Sequence, residues 1–406
     1  MHRSAACRGW ISARVSPLQN EIDTLILGGG CAGLSLGARL AESPTEAQGR
    51  TLIVEARSRY VNDRTWCFWR ERAHRWEHLV AHSWQQLLVQ SRDAVASVSA
   101  ASSYQMIESG AFYADAKRSI DASSDVDLRL GVDLTTPPTL RDGLWRTQIG
   151  DDEITSRYVV DTRPPQLPRA GDALLWQSFF GQEIECAVRA FDEKTVQLMD
   201  FVDPNQYPDI DGVMFTYVLP FSSTRALVET TVFGCEPLQK TALREHQARA
   251  VAGLCAGSTW RVAREEGSML PMGMNLEYSP PGENYVRVGL MSGGARASTG
   301  YAFQRIQRWA DQCAAAIKSG CAPCAHAPDS ALMRWMDRLF LRVIRDQPER
   351  APEMFVRLFS KVNSARVIRF LSDEATLADC AAIVAALPPT PFLRTLLRRD
   401  AATRFA

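Results

Sequence analysis

Residues 22 to 30, Ile-Asp-Thr-Leu-Ile-Leu-Gly-Gly-Gly, are an apolar run that ends in glycine, which predicts a short buried strand entering a tight turn. From Cys31 to Glu42 the spacing becomes helical, with Ala32, Leu34, Leu36, Ala38 and Leu40 among small residues. Thr51-Leu52-Ile53-Val54-Glu55 then predicts a second strand. Partial alternation from Trp84 to Met106 and from Val126 to Trp145 predicts short strands, and residues 153 to 162 a buried strand ending in an acid. Four β-rich runs follow, Leu174 to Phe180, Thr195 to Phe201, Met214 to Leu219 and Ala226 to Phe233, and together they predict an antiparallel sheet. Residues 285 to 290 predict one more strand, leading through Ser292-Gly293-Gly294 to a helix from about Thr299 to Lys318. Beyond Ala331 the pattern is helical. Trp335, Met336, Leu339, Phe340, Val343 and Ile344 line one face of residues 333 to 345, and Arg334, Asp337, Arg338, Arg342 and Arg345 the other.

The first strand, helix and second strand make a βαβ unit with Gly28-x-Gly30-x-x-Gly33 at its first turn and Glu55 closing the second strand. This order is the signature of a dinucleotide site. Gly28 permits the turn, Gly30 lets backbone approach a pyrophosphate, and Gly33 lets helix and sheet pack closely. Cys31 and Ala32 open the helix, whose first N–H groups and positive dipole end suit phosphates. Glu55, followed by Ala56, would accept hydrogen bonds from ribose hydroxyls, and its charge disfavours a 2′-phosphate, so NADP is a poor candidate for this unit. The motif occurs once, so one dinucleotide is expected.

The fold class expected is α/β: a Rossmann-like dinucleotide-binding domain, an inserted antiparallel β-sheet substrate domain and a C-terminal helical section. The boundaries read as 1–20 for a flexible extension, 21–170 with 260–320 for the nucleotide domain, 171–259 for the β-rich substrate domain and 321–406 for the helices.

Composition narrows the function classes. The chain has 406 residues, 46 Lys and Arg against 46 Asp and Glu, and a 46% hydrophobic share. Zero net charge argues against a nucleic-acid partner held by bulk electrostatics. The longest uncharged stretch, Thr24 to Ala38, is glycine-rich and shorter than the roughly 18 to 20 apolar residues a spanning helix needs, so no such helix is expected. The first twenty residues carry Arg3, Arg8 and Arg14 without the apolar segment of a secretory signal. Charge is nonetheless segregated: residues 331 to 406 hold thirteen Lys and Arg against eight Asp and Glu, an excess of five positive charges. A basic amphipathic section of this kind suits either an anionic membrane surface or a packed helical subdomain.

Ten cysteines without a regular framework read as reduced thiols. Cys321-x-x-Cys324 with His326 has metal spacing but no second ligand pair, and His74, His78 and His82 would stack only if they shared a helix. No metal site is expected from either.

Several segments together resemble the bacterial FAD-dependent lycopene cyclases, the lycopene beta-cyclase family. They are Asn62-Asp63-Arg64-Thr65-Trp66-Cys67-Phe68-Trp69, Trp176-Gln177-Ser178-Phe179-Phe180-Gly181, Leu198-Met199-Asp200-Phe201 and Phe215-x-Tyr217-Val218-Leu219-Pro220. Leu227-Val228-Glu229-Thr230-Thr231, Arg264-Glu265-Glu266-x4-Pro271-Met272, Ser298-Thr299-Gly300-Tyr301-x-Phe303 and Met336-Asp337-x-Leu339-Phe340-Leu341 continue the series, so that the resemblance runs from about Ile22 to Leu396. The family's acidic motif commonly carries two consecutive carboxylates, and here the second position is Thr230.

The resemblance implies FAD as the dinucleotide, active in its reduced form, with NAD(P)H serving only to reduce it. It implies non-redox closure of the acyclic ψ-ends of lycopene to β-ionone rings, an isomerisation of the intramolecular-lyase type. A proton adds at C1=C2, the cation is attacked by C5=C6, and C6 loses a proton. Glu229 is the implied acid or cation-stabilising carboxylate, with Glu265 and Glu266 as runners-up. Arg64, Asp161, Gly289, Gly293 and Gly300 are the implied further flavin contacts, with Leu290 standing where the superfamily usually has an acid. Nine aromatic residues, Trp66, Phe68, Trp69, Trp176, Phe179, Phe180, Phe215, Tyr217 and Tyr301, are candidates for a polyene channel. An acyclic carotenoid substrate implies a cytoplasmic enzyme attached peripherally to the inner face of the membrane. The rival readings are a flavin monooxygenase or halogenase acting on an apolar substrate, and a non-catalytic carotenoid or lipid carrier.

Overall fold

The computed structural model describes residues 21 to 397, except 72, 135, 166 to 170 and 275 to 280. The expected extension over residues 1 to 20 and the basic residues beyond 397 lie outside the described residues. The chain begins β1 (Glu21–Leu27), α1 (Cys31–Ala41), β2 (Thr51–Glu55), β3 (Thr65–Trp69), β4 (Val80–Gln90), β5 (Val95–Glu108) and α2 (Ser109–Asp121). It continues β6 (Val126–Leu130), β7 (Thr139–Arg141), β8 (Leu144–Ile149), β9 (Asp152–Asp161), β10 (Leu175–Cys186), β11 (Thr195–Phe201), β12 (Val213–Pro220) and β13 (Arg225–Gly234). Then come α3 (Lys240–Leu254), β14 (Trp260–Met272), β15 (Tyr285–Arg287) and α4 (Phe303–Lys318). The last described helices are α5 (Ala331–Asp346), α6 (Ala351–Lys361), α7 (Ser364–Leu371), α8 (Leu377–Ala386) and α9 (Pro389–Leu397).

Two sheets organise these elements. The first runs β6-β2-β1-β9-β8-β7, with β15 added against the end of β9. Its β6, β2, β1, β9 and β15 are parallel, as βαβ crossovers require, and their cores are continuous apolar runs: Leu25, Ile26 and Leu27 have no exposed surface. The second sheet has eight strands in the order β14-β10-β13-β12-β11-β4-β5-β3. It is antiparallel apart from the join between β11 and β4, which is parallel.

That second sheet draws on more of the chain than residues 171 to 259. Strands β3 to β5, from the segment expected in the nucleotide domain, form one edge, and β14, also expected there, forms the other. The reason is pairing length. β14 matches β10 residue for residue from Leu175↔Met272 to Cys186↔Trp260 with one irregularity, so its polar edge bonds are met only in this sheet. The strand expected over 285 to 290 ends at Arg287, because residues 290 to 294 form a wide turn, and the helix expected from Thr299 starts at Phe303.

The C-terminal helices fold over the second sheet. Leu339, Leu341, Val343, Ile344, Met354, Phe359, Val367 and Phe370 share one core with Trp84, Met106, Leu198, Phe215, Leu227 and Phe233. Arg296, almost fully buried, locks this layer down. Its guanidinium donates to both carboxylate oxygens of Asp337 on α5 (3.1 and 3.0 Å), and Ser298 Oγ donates to the same carboxylate (2.8 Å). A buried, fully bonded pair of this kind specifies position more than it adds stability.

Candidate functional site

One cavity of about 790 Å³ runs between the two sheets. Its first end is the glycine turn. Gly28 has φ +95°, which favours glycine, and a Cβ on Gly33 would stand 2.0 Å from the Gly28 carbonyl oxygen, so turn and helix can close only without side chains there. Gly30 caps α1 without a side-chain bond, leaving the first amides of the helix to a ligand, and a Cβ on Gly30 would meet nothing within 4 Å. Gly30, Cys31 and Ala32 line the cavity, whereas Gly28 and Gly33 shape the turn behind it.

Glu55 lines the same end. Its carboxylate accepts from the Gly29 amide (2.7 Å), the Arg57 amide (2.9 Å) and Arg57 Nε (3.0 Å). Burial works against its charge, but the Arg57 and Gly29 hydrogen bonds more than offset this and hold the carboxyl below its usual range. Arg57 in turn lies over the rings of Tyr60 and Tyr113 (4.9 and 5.2 Å to the centroids). Ala56 is exposed and off the cavity.

Of the other implied cofactor residues, Arg64, Gly289 and Gly300 line the cavity. Asp161 and Gly293 do not. The Asp161 carboxylate is occupied by Arg163 (2.9 and 3.0 Å), the Tyr285 hydroxyl (2.6 Å) and Arg287 (3.3 Å), an arrangement that clamps β15 to β9. Gly293 packs on His326, whose Nε2 accepts from the Gly289 amide (3.1 Å). Burial pushes the His326 imidazole down to about 4, so it is neutral and able to accept.

The second end is apolar. Leu198, Met199, Phe215, Leu219, Leu227 and Phe233 come from the second sheet, and Phe355, Leu358, Phe359 and Leu371 from α6 and α7. Six of the nine aromatic candidates line the cavity: Trp66, Trp69, Phe179, Phe215, Tyr217 and Tyr301. Phe68, Trp176 and Phe180 are core instead.

Glu229 projects from β13 into this region and is 9% exposed. Thr231 Oγ1 donates to its Oε1 (2.9 Å). Burial, reinforced by the charge of Glu266, pushes the Glu229 carboxyl up to about 8. Around it, burial raises the Tyr104 and Tyr217 hydroxyls well above their usual range, and these two are bonded to each other (3.0 Å). Glu266 also lines the cavity, while Glu265 faces away toward Gln182 (2.9 Å) and Arg244 (3.5 Å).

Sequence reasoning left Glu266 as a runner-up and missed Thr231, Tyr104 and the wall supplied by α6 and α7. The signal for Glu266 was the Arg264-Glu265-Glu266 motif, which does not separate it from Glu265; Tyr104 carries no local signal, and the helical pattern beyond Ala331 does not show which face of the sheet it covers. The histidine series is dispersed. His74 Nε2 is 2.6 Å from Gln105 Oε1, His78 is exposed beside Asp115, and His82 stacks on Phe221 in a strand. No cluster of three or more metal-ligating side chains occurs among the described residues, including around Cys321 and Cys324.

A glycine-capped helix start and an acid at the end of the second strand define a dinucleotide-binding α/β fold, here with a long apolar extension of the site. The same fold occurs in a geranylgeranyl bacteriochlorophyll reductase-like protein from Thermoplasma acidophilum (TM-score 0.58, 11% identity, covering 92% of this chain and 98% of that one). It occurs also in the flavin-dependent monooxygenase PieE, solved in complex with FAD and substrate (TM-score 0.58, 13% identity, 90% and 72%). Residues 23–397 match the family described as lycopene cyclase protein, and the chain belongs to that family. It is similar to the lycopene beta-cyclase of Pantoea ananas, 24% identical over 396 residues, covering 93% of this chain and 98% of that protein.

Proposed function

We propose that this protein closes the ψ-ends of lycopene into β-ionone rings without net oxidation, with Glu229 as the proton donor. The observation that carries the reading is a buried carboxyl, raised to about 8, at the apolar end of a cavity whose other end fits a dinucleotide. Protonating an alkene needs an acid still loaded near neutral pH, and burial supplies one. Leu227, Phe215, Phe233 and the α6–α7 wall keep water from the cation that follows, and the faces of Tyr217 and Tyr301 offer it negative potential.

FAD fits the first end: Gly30 stands in open space before free helix amides, and Glu55 is placed for a ribose. The buried Trp69 Nε1 and Gln177 Oε1, on two cavity-lining residues, have no hydrogen-bond partner among the described residues and are available to a ligand. When bound and reduced, the flavin supplies an electron-rich ring that stabilises positive charge, NAD(P)H being needed only to reduce it. In this reading Glu55 and the α1 amides hold the cofactor's nucleotide half, and Arg64, Gly289 and Gly300 border the rest.

The substrate reaches the cavity from a membrane surface, with the protein attached peripherally at the cytoplasmic face. Support comes from exposed Leu332 and Trp335 on α5, Leu377 and Val384 on α8, and Leu393, Leu396 and Leu397 on α9, with Arg334, Arg338 and Arg394 exposed nearby. Among the described residues no single helix is long and apolar enough to cross a membrane, and α8 with α9, bent by 96°, pass that test only as a pair. Anionic vesicles should bind the protein at low salt and release part of it at high salt. No binding at low salt contradicts the attachment.

Expression in a lycopene-accumulating host, with the pigments separated by chromatography, tests the activity. The expected product has the substrate's mass. An oxygenated or halogenated product would favour the monooxygenase or halogenase reading, and unchanged lycopene with soluble, flavin-loaded protein would count against cyclisation.

A further inference from the structure

Neighbouring residues on a strand point to opposite faces. Thr230 accordingly turns away from the cavity, and its hydroxyl donates to Gln247 Oε1 under α3 (2.8 Å). A carboxylate at that position would face α3 as well. On the cavity side the second acid comes from another strand. The register places Tyr217 opposite Glu229, Glu229 opposite Gly181, and Gly181 opposite Glu266, one row across β12, β13, β10 and β14. Three strand positions span about 9.5 Å, and the middle one is a glycine. A Cβ there would stand 3.3 Å from Glu229 Cβ, so Gly181 keeps the position between the two glutamates free of a side chain.

Glu266 is 5% exposed and tightly held. Arg264 Nη1 and Thr65 Oγ1 (2.8 Å) both donate to its Oε2, and Arg264 Nη2 donates to Thr65 Oγ1 (2.9 Å). Glu229, by contrast, accepts from the Thr231 hydroxyl and forms no ion pair among the described residues. The charged and titratable groups around it are Glu266 and Arg264 on β14, Glu183 on β10, which accepts from Arg264 Nε (3.3 Å), Tyr217 on β12, Cys67 on β3, Tyr104 on β5 and Tyr301 before α4.

We propose that Glu266 is a second functional carboxylate of this site, a positioning residue fixed across Gly181 and acting through Glu229 to keep the proton there until substrate takes it. One carboxylate is anchored by a cation and a hydroxyl, the other is left without a cation, and two such environments divide one acidic role from another. The proposal rests on the cyclase reading for the reaction served, though its electrostatics can be read without turnover.

Infrared difference titration of the purified, flavin-loaded full chain reads the Glu229 carboxyl, its band identified by loss in Glu229→Gln. The wild-type midpoint is expected near 8. In Glu266→Gln it falls by about one pH unit or more, the size of a like charge at this separation. Glu266→Asp returns it toward the wild-type value, and the alkaline limb of kcat moves with it while KM changes little. An unmoved midpoint in folded Glu266→Gln overturns the proposal. If that variant does not fold, R264Q/E266Q is compared with R264Q, so that the cation is absent from both and the Glu266 charge is the difference read, Glu183 keeping Arg225 as its partner; equal midpoints overturn the proposal. A protein that titrates as expected but leaves lycopene acyclic overturns the cyclase reading alone; one that cyclises lycopene with an unmoved midpoint overturns the carboxylate pair alone.

Discussion

The two ends of the cavity are built by different means. At the nucleotide end, Gly28, Gly30, Gly33 and Glu55 lie within one βαβ unit, and each is placed by its own turn, cap or strand end. At the apolar end, Glu229, Gly181, Glu266, Thr65 and Phe355 come from five separate elements and meet only through sheet register and the packing of α6. The first end is a local solution to binding phosphates. The second is a long-range solution to keeping an acid dry, and a change in it should affect chemistry before it affects cofactor binding.

The largest expected effect separates the ends. Glu229→Gln should lower cyclisation by roughly 10²- to 10⁴-fold, the usual worth of a general acid, while the flavin absorbance of the purified protein stays unchanged. Gly33→Ala should do the reverse of sparing the cofactor. Its Cβ would meet the Gly28 carbonyl oxygen at 2.0 Å, so flavin should be lost on purification and denaturant melts should show roughly 3 kcal/mol less stability.

Glu55→Gln comes next. Removing a charged acceptor costs about 1.5 to 3 kcal/mol, so flavin affinity measured by titration should fall roughly 10- to 100-fold. The Glu229 midpoint should not move. If it does, the two ends are coupled more tightly than their construction implies.

The smallest effect is on stability, and its sign is set by linkage. Glu229 is raised in the folded state, so the fold binds more protons than the unfolded chain between the ordinary value and about 8, and stability falls as pH rises through that window. Glu229→Gln removes this cost. At pH 6 the variant should be more stable than wild type by about 2 kcal/mol, with the difference growing toward pH 8 and vanishing toward pH 4 in denaturant titrations. A difference independent of pH would contradict the raised carboxyl.

The same contrast explains what the sequence made legible. The βαβ unit could be read residue by residue because strand period, glycine turn and terminal acid are local signals. The four β-rich runs from 174 to 233 appear as β10 to β13, close to the expected positions. What could not be read was which strands join them. β14 and β3 to β5 carry no local mark of the sheet they enter, so the substrate layer was drawn too narrow. Glu229 carried the same ambiguity. Flanked by Leu227, Val228, Val232 and Phe233, it suits a solvent-facing strand position as well as a buried one, and only the closure of α6 and α7 over that face decides for burial.

Cyclisation in deuterated water, followed by mass spectrometry of the carotenoid, tests the central claim most directly. Proton-initiated, non-redox ring closure predicts a ring-closed product isomeric with lycopene apart from solvent deuterium carried into the new ring, and no incorporation above background with Glu229→Gln. A product that gains oxygen or halogen, or one that closes its rings without taking up deuterium, would contradict it.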